Sequence, residues 1–373
     1  MLRISASDVK VGQPLTWDCY DTHGVLLLRR GSVVSSDRQL EGLISRGLFV
    51  NAAGIQEKAK PKEQAAPQII SAFHIVDDLK LRLKGILDAI AKPQNGDLQA
   101  RVIKLCQDLQ ALCDMDADAA LGSLHLDHEG RYTVIHPLHV ALLAELIGRK
   151  KNLSVEDRQT MLAAAMTANV AMNDLQEVLH KQQTPLTDAQ KEAIRLHPLQ
   201  GVEMLLDAGI KDDVWIKSVL HHHEKLDGSG YPGALKGDGI PLQVRILSLA
   251  DTYSAMITPR VYRGQILAKE ALRDIFLKRG SEVDGELAGL FIKELGVFPP
   301  GAFVKLQNGE SAVVIKRGAN PTCPEVCSVI GPRGAPLSPT IKRDTSDANY
   351  VIREMVPRDN IVRLDLHKLW GYR

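Results

Sequence analysis

Histidines stand in a row at His221, His222 and His223, followed by Glu224 and a glycine-containing loop, "KLDGSGYP". Adjacent histidines on one helical turn can offer one imidazole to a divalent ion and the next to a neighbouring ion or a phosphate. Imidazole and carboxylate donors together suit Zn, Fe, Mn or Ni. The glycines, with Pro232 fixing one φ, suit a backbone that comes close to a ligand. His136, His197 and Asp251 belong with this run, because each is a polar side chain on an inward-facing apolar stripe. Burying such a group is costly unless something satisfies it. Hydrogen bonding within the core satisfies any one histidine, and for a single residue that is the stronger reading. Nine of the twelve histidines fall between His125 and His223, which turns the balance toward a shared metal cluster.

The stripes that would carry these side chains are helical. His136, Val140, Leu143 and Ile147 recur at i, i+4, i+7 and i+11, and Leu162, Met166 and Asn169 follow the same rule, as do Val244, Leu247 and Asp251. Ser154 with Asp157 and Thr187 with Gln190 mark helix starts of the capping-box type. The spacing therefore predicts an all-helical domain over residues 70–297. Ahead of it, residues 1–51 read as a small α+β module. There "PLTWDCY" and "GVLLLRRGSVV" flank a "DTHG" turn, Ser36 and Gln39 start a helix, and Gly47 offers its stop. Residues 52–69 have the Ala-, Lys-, Glu-, Gln- and Pro-rich composition of a linker. Beyond "GVFPPG", the runs "AFVKL", "SAVVIK", "VCSVI" and "YVIREMV" predict a β subdomain over residues 298–373. The fold class expected is mainly α, with small β-rich pieces at both ends.

Composition narrows the function classes. Forty-six Lys and Arg against 45 Asp and Glu leave a net charge of +1, which argues against a DNA- or RNA-binding surface over the whole molecule. No apolar run is long enough for a signal peptide or a membrane span, so no membrane insertion is expected. Five irregularly spaced cysteines give no disulfide framework, and the expected home is the reducing cytoplasm. A homodimer is compatible with the sequence but not required by it.

"HHEKLDGSGYPGALKGDGIP" followed by "RILSLADTYSAMITPRVYR" resembles the signature of the HD-GYP family, the bacterial branch of HD-type phosphohydrolases that cleaves cyclic di-GMP. The likeness extends upstream through "LTDAQKEAIRLHPLQGVEMLL" and covers residues 120 to 310 or so. It implies a cluster of divalent ions (Fe, Mn, Ni or Zn) on His136, His197, His222, His223 and Asp251, activating a hydroxide for in-line attack on phosphorus. It further implies that Gly230, Tyr231 and Pro232 are the GYP tripeptide, a surface for substrate or partner, and that Arg260 and Arg263 lie in a basic loop able to meet phosphate.

One stretch departs from the family. Where the resemblance calls for His, Asp and, three residues on, Lys, this chain reads "AMTANVAMN", placing Ala168, Asn169 and Met172 in those roles. Tyr132 stands where the three-metal form has an acidic ligand. Alanine cannot ligate, a neutral amide bridges two dications poorly, and methionine removes a cation. The expectation is a degenerate centre that holds its metal at partial occupancy or not at all, at most a single ion on His197, His222 and His223. On this reading the protein works by binding cyclic di-GMP, or partners such as GGDEF-domain proteins. The alternative is an active cyclic di-GMP phosphodiesterase with a rearranged site, in which Asp174 or another carboxylate substitutes. A third reading is a hydrolase of the wider HD superfamily with another substrate.

Overall fold

A computed structural model describes residues 2–3, 9–15, 17–45, 49–50, 70–92, 96–259, 266–358 and 363–372. The chain divides into two compact units, residues 1–69 and 70–373. Gly47 and the linker composition of residues 52–69 lie outside the described residues.

In the first unit β1 (Leu2–Arg3), β2 (Cys19–Tyr20), β3 (Leu26–Leu28) and β4 (Phe49–Val50) form an antiparallel sheet in the order β1-β4-β2-β3, with α1 (Asp37–Ser45) between β3 and β4. The β2–β3 turn is the expected "DTHG". Its Asp21 carboxylate accepts the N–H groups of His23 and Val25 at 2.8 and 2.9 Å, and Gly24 takes a φ of 81°. Val9, Leu15, Cys19 and Val34 make its small core.

The second unit is built around α4 (Tyr132–Lys150), in which every residue from Tyr132 to Gly148 is buried. A helix covered on all sides needs neighbours all round. The antiparallel pair α2 (Ala72–Ala91) and α3 (Leu98–Leu126) covers one side, and α5 (Val155–Thr167) and α9 (Leu242–Ile257) pack against the others. The one fully buried carboxylate on α4, Glu145, is satisfied by Arg149 Nε at 2.6 Å, Arg158 Nε at 3.1 Å and Gln110 Nε2 at 3.2 Å. α6 (Asn173–Lys181), α7 (Asp188–Asp207), α8 (Asp213–His221), α10 (Ala268–Leu277) and α11 (Gly285–Leu295) complete the helical part. Thr187 and Gln190 form the full reciprocal capping box at the start of α7. No helix among the described residues is long and apolar enough to cross a membrane.

Two elements differ from the sequence expectation. The stripe Leu162, Met166, Asn169 extends a helix through Asn169, but α5 stops at Thr167 and the chain turns through a single 3-10 turn at Val170–Met172. The Thr167 hydroxyl donates back to the Ala163 carbonyl at 2.8 Å and accepts Trp215 Nε1 at 2.8 Å, pinning the last turn. The carboxy-terminal sheet holds β5 (Phe303–Leu306), β6 (Ser311–Lys316), β7 (Glu325–Ile330) and β9 (Ile352–Val356), all matching β-prone runs, and a further strand, β8 (Pro336–Asp344), that periodicity missed. The order is β8-β7-β6-β5-β9, entirely antiparallel. β8 is an edge strand, exposed along most of its length and interrupted by Pro339, so it carries none of the apolar alternation of a half-buried strand.

Candidate metal centre and its cavity

Five segments deliver the side chains: α4 carries His136, the turn after α5 carries Ala168, Asn169 and Met172, α7 carries His197, the end of α8 carries His222 and His223, and α9 carries Asp251. Local sequence sets the tautomer of two of them. Pro198 has no N–H, so it leaves the carbonyl of Ile194, four residues back, without its helical donor. The ring of His197 takes that place, with Nδ1 2.6 Å from Ile194 O. His222 caps α8 and meets the orphan carbonyl of Val219 through Nδ1, also at 2.6 Å. A carbonyl only accepts, so each Nδ1 bears the proton and each Nε2 presents a lone pair.

Those two Nε2 atoms face each other at 3.2 Å. Two lone pairs at that distance repel unless a cation lies between them. Nitrogens bound at about 2.0–2.1 Å to one tetrahedral ion stand about 3.3 Å apart, so the spacing fits one shared ion. The rings of His197 and His223 lie 5.0 Å apart and those of His222 and His223 4.0 Å. One ligand atom from each of the three lies within 4.8 Å of the others. Burial pushes the His197 pKa down to about 3, helped by His222; it lowers His222 and takes His223 well below its ordinary value. All three are neutral near pH 7, the form that ligates a metal. The donor set fits a divalent ion.

The second expected ion position is built differently. His136 sits between Ser254 Oγ at 3.0 Å from Nδ1 and Asp251 Oδ1 at 2.9 Å from Nε2. Burial pushes the Asp251 carboxyl up, but the hydrogen bond and charge of His136, with His223 and His222, outweigh it and hold the group well below the carboxylate range. Tyr132 stacks almost parallel on His136, with ring centroids 5.0 Å apart, and His180 stacks on Tyr132 at 5.1 Å. An aromatic stack thus includes Tyr132, the residue that the resemblance sets in the place of an acidic ligand. Ala168 and Asn169 are buried, and Met172 faces the cavity beside Asn169. Asp174, on which a rearranged site would call, is exposed on α6 and does not line the cavity.

The cavity measures about 530 Å³, and His136, His223, Asp251, Tyr231 and Asn169 are among the residues that line it. Its lining contains a single carboxylate, Asp251, and no Lys or Arg among the described residues. Arg260 and Arg263 lie outside the described residues.

The GYP loop is held by Glu224, a residue to which sequence reasoning gave no role. Its buried carboxylate accepts the N–H groups of Gly233 at 2.6 Å and Leu235 at 2.9 Å. A Cβ on Gly230 would come within 2.5 Å of the Glu224 Cα, the His223 carbonyl oxygen and the Lys225 nitrogen, so only glycine fits there. Tyr231 donates its N–H to the His223 carbonyl at 3.3 Å and lays its ring 4.8 Å from that of His223, with Pro232 following through a cis peptide. The signal available in sequence was a glutamate directly after the paired histidines and ahead of a glycine loop, the pattern of a carboxylate that gathers backbone donors.

Residues 119–287 match the HD domain family. A cyclic di-GMP phosphodiesterase of Pseudomonas aeruginosa is 29% identical over 278 residues, covering 74% of this chain and 64% of that protein. A 3'3'-cGAMP-specific phosphodiesterase of Vibrio cholerae is 28% identical over 180 residues, 48% of this chain and 39% of the relative. The chain therefore spans less than two thirds of the length of either. Among solved structures, an HDG"Y"P protein from Bdellovibrio bacteriovorus superposes with a TM-score of 0.52 at 15% identity, over 78% of this chain and 98% of that one. That likeness concerns the fold.

Proposed function

We propose that this chain, an HD-domain protein of the HD-GYP type, binds a cyclic dinucleotide of the cyclic di-GMP class and does not hydrolyse it at a phosphodiesterase's rate. The observation that carries the reading is the lining of the cavity. Asp251 is its one carboxylate among the described residues, and Ala168 and Asn169 stand where the resemblance calls for the doublet. A pair of dications carries four positive charges, and one carboxylate compensates them poorly in a pocket of low dielectric. His197, His222 and His223 retain a donor set for one ion. When bound, such an ion would supply charge neutralisation to a phosphate. The chain's own residues do the rest: Tyr231 and His223 form a ring-lined edge of the cavity, His136 and Asp251 hold each other, and the Asn169 amide replaces a bridging charge with a neutral dipole.

Three measurements on one preparation test this. Metal per chain is read by elemental analysis, affinity for cyclic di-GMP by calorimetry, and turnover by chromatography of the nucleotide products. The expected result is no more than one divalent ion per chain, saturable binding, and hydrolysis lower by orders of magnitude than that of a two-metal hydrolase. Two ions per chain with rapid formation of linear dinucleotide or mononucleotide would overturn it.

A further inference from the structure

One part of the cavity wall is built by α6 and the segment 182–186. Gln176 lies on it, 9% exposed, lining the cavity, with its Oε1 buried and without a hydrogen-bond partner. Its neighbour Gln182 is the opposite case. Gln182 donates to Thr184 O at 3.1 Å, to Pro185 O at 3.2 Å and to Gln190 Oε1 at 3.1 Å, and accepts Gln190 Nε2 at 2.7 Å. Since Gln190 also closes the capping box of α7, this segment is tied to the helix that carries His197. That segment is therefore fixed, and Gln176 lines the cavity with an amide oxygen that has no partner where it lies, so turning it toward a ligand breaks no hydrogen bond. Beside it are the stacked rings of Tyr132 and His180 and the apolar side chains of Met172, Leu179 and Ile194.

A buried acceptor that meets no donor forfeits its solvation, and a site that pairs with it recovers that loss. Flat aromatic and apolar surface with an unpaired amide is the chemistry that accepts a nucleobase, stacking it and reading one edge. Cyclic di-GMP and 3'3'-cGAMP, the ligands named for the relatives above, differ in one purine alone. Discrimination between them has to be made at a base edge.

We propose that this wall is a purine subsite and that Gln176 reads the Watson–Crick edge of one base of a cyclic dinucleotide; the inference rests on the binding function proposed above. An amide offers one acceptor and one donor. Oε1 takes N1–H of guanine while Nε2 gives to O6, or Oε1 takes the exocyclic N–H of adenine while Nε2 gives to N1. Glutamine at this position is consequently a tolerant reader that accepts either purine. A carboxylate is not tolerant. It accepts the adjacent N1–H and N2–H donors of guanine together, and it sets a lone pair against N1 of adenine.

The test compares wild type, Gln176→Leu and Gln176→Glu by calorimetry with cyclic di-GMP, 3'3'-cGAMP and cyclic di-AMP. Thermal unfolding of each variant checks that it is folded. Wild type is expected to bind cyclic di-GMP and cyclic di-AMP within about tenfold of each other, and Gln176→Leu to weaken both by roughly tenfold or more. Gln176→Glu should raise the preference for cyclic di-GMP over cyclic di-AMP by at least about tenfold. With that variant 3'3'-cGAMP should stay within a few-fold of cyclic di-GMP, because it can turn its guanine into the subsite. A merely structural glutamine would lower all three affinities alike and leave their ratio unchanged. If wild type binds the dinucleotides and the ratio does not move in either variant, the subsite is wrong while the binding function stands. If wild type binds none of them, both fall.

Discussion

Glu224→Ala is the substitution that most directly probes how the GYP loop is held. The carboxylate is 2% exposed and accepts two backbone N–H groups, from Gly233 and Leu235, at 2.6 and 2.9 Å. Its one other polar neighbour within ion-pair range, His221 Nδ1, stands 3.6 Å away, too far for a good hydrogen bond. Truncation removes two charge-assisted bonds and leaves two donors in a pocket closed by Gly230 packed on the Glu224 backbone. At about 1.5–3 kcal/mol for each bond to a charged group, the expected loss is roughly 3–6 kcal/mol. For a unit of about 300 residues that corresponds to a fall in Tm of roughly 5–10 °C. Because the loop also positions Tyr231 against His223, dinucleotide affinity should fall with it. Glu224→Gln keeps the shape and one acceptor, and should retain about half of the loss. The assay is differential scanning calorimetry followed by titration with cyclic di-GMP. A Glu224→Ala variant that melts within 1 °C or so of wild type, with unchanged affinity, would refute the bracing role.

Restoring the doublet and its lysine in one variant, Ala168→His with Asn169→Asp and Met172→Lys, should raise bound metal from one ion per chain toward two and bring measurable hydrolysis; elemental analysis and product chromatography read both. Gly230→Ala, whose Cβ would lie 2.5 Å from three backbone atoms, should destabilise the unit by roughly 3 kcal/mol or more, seen as a lowered denaturant midpoint. In the carboxy-terminal sheet, the Arg343 guanidinium, 2.6 and 2.9 Å from Glu310, together with the Ser328 hydroxyl, holds that carboxyl below its ordinary 4.5 against the effect of burial. A folded pKa below the unfolded one means that this stability is complete above pH 4.5 and is lost as pH falls through the folded value. The Tm gap between wild type and Glu310→Gln should accordingly narrow on acidification below that pH.

Much of the architecture is readable in linear form because it is local. The stripe His136, Val140, Leu143, Ile147 lies on α4, Thr187 and Gln190 form the capping box they spell, and "DTHG" makes the turn its glycine allows. β8 escaped because an exposed edge strand with Pro339 buries too little to leave a pattern. Asn169 fell off its helix because Thr167 and Trp215, 48 residues apart, fix where α5 ends. The dipeptide His197–Pro198 did carry a usable signal, a proline that frees a carbonyl for the ring before it, and so did Glu224. Reading either requires knowing which groups are left without partners.

The order of residues alone determined which donors exist: three histidines able to share an ion, the carboxylate of Asp251, and alanine and asparagine at positions 168 and 169, since composition cannot be repaired by folding. Only the tertiary structure decided what those donors face. His197 and His222 turn their lone pairs toward one point, Tyr132 stacks on His136, and Gln176 lines the cavity with a buried amide oxygen that meets no donor. Periodicity reports one helix at a time, whereas these relations join side chains from separate helices. Their distances are set by how the helices pack around the buried α4, a property of the whole core and of no single segment.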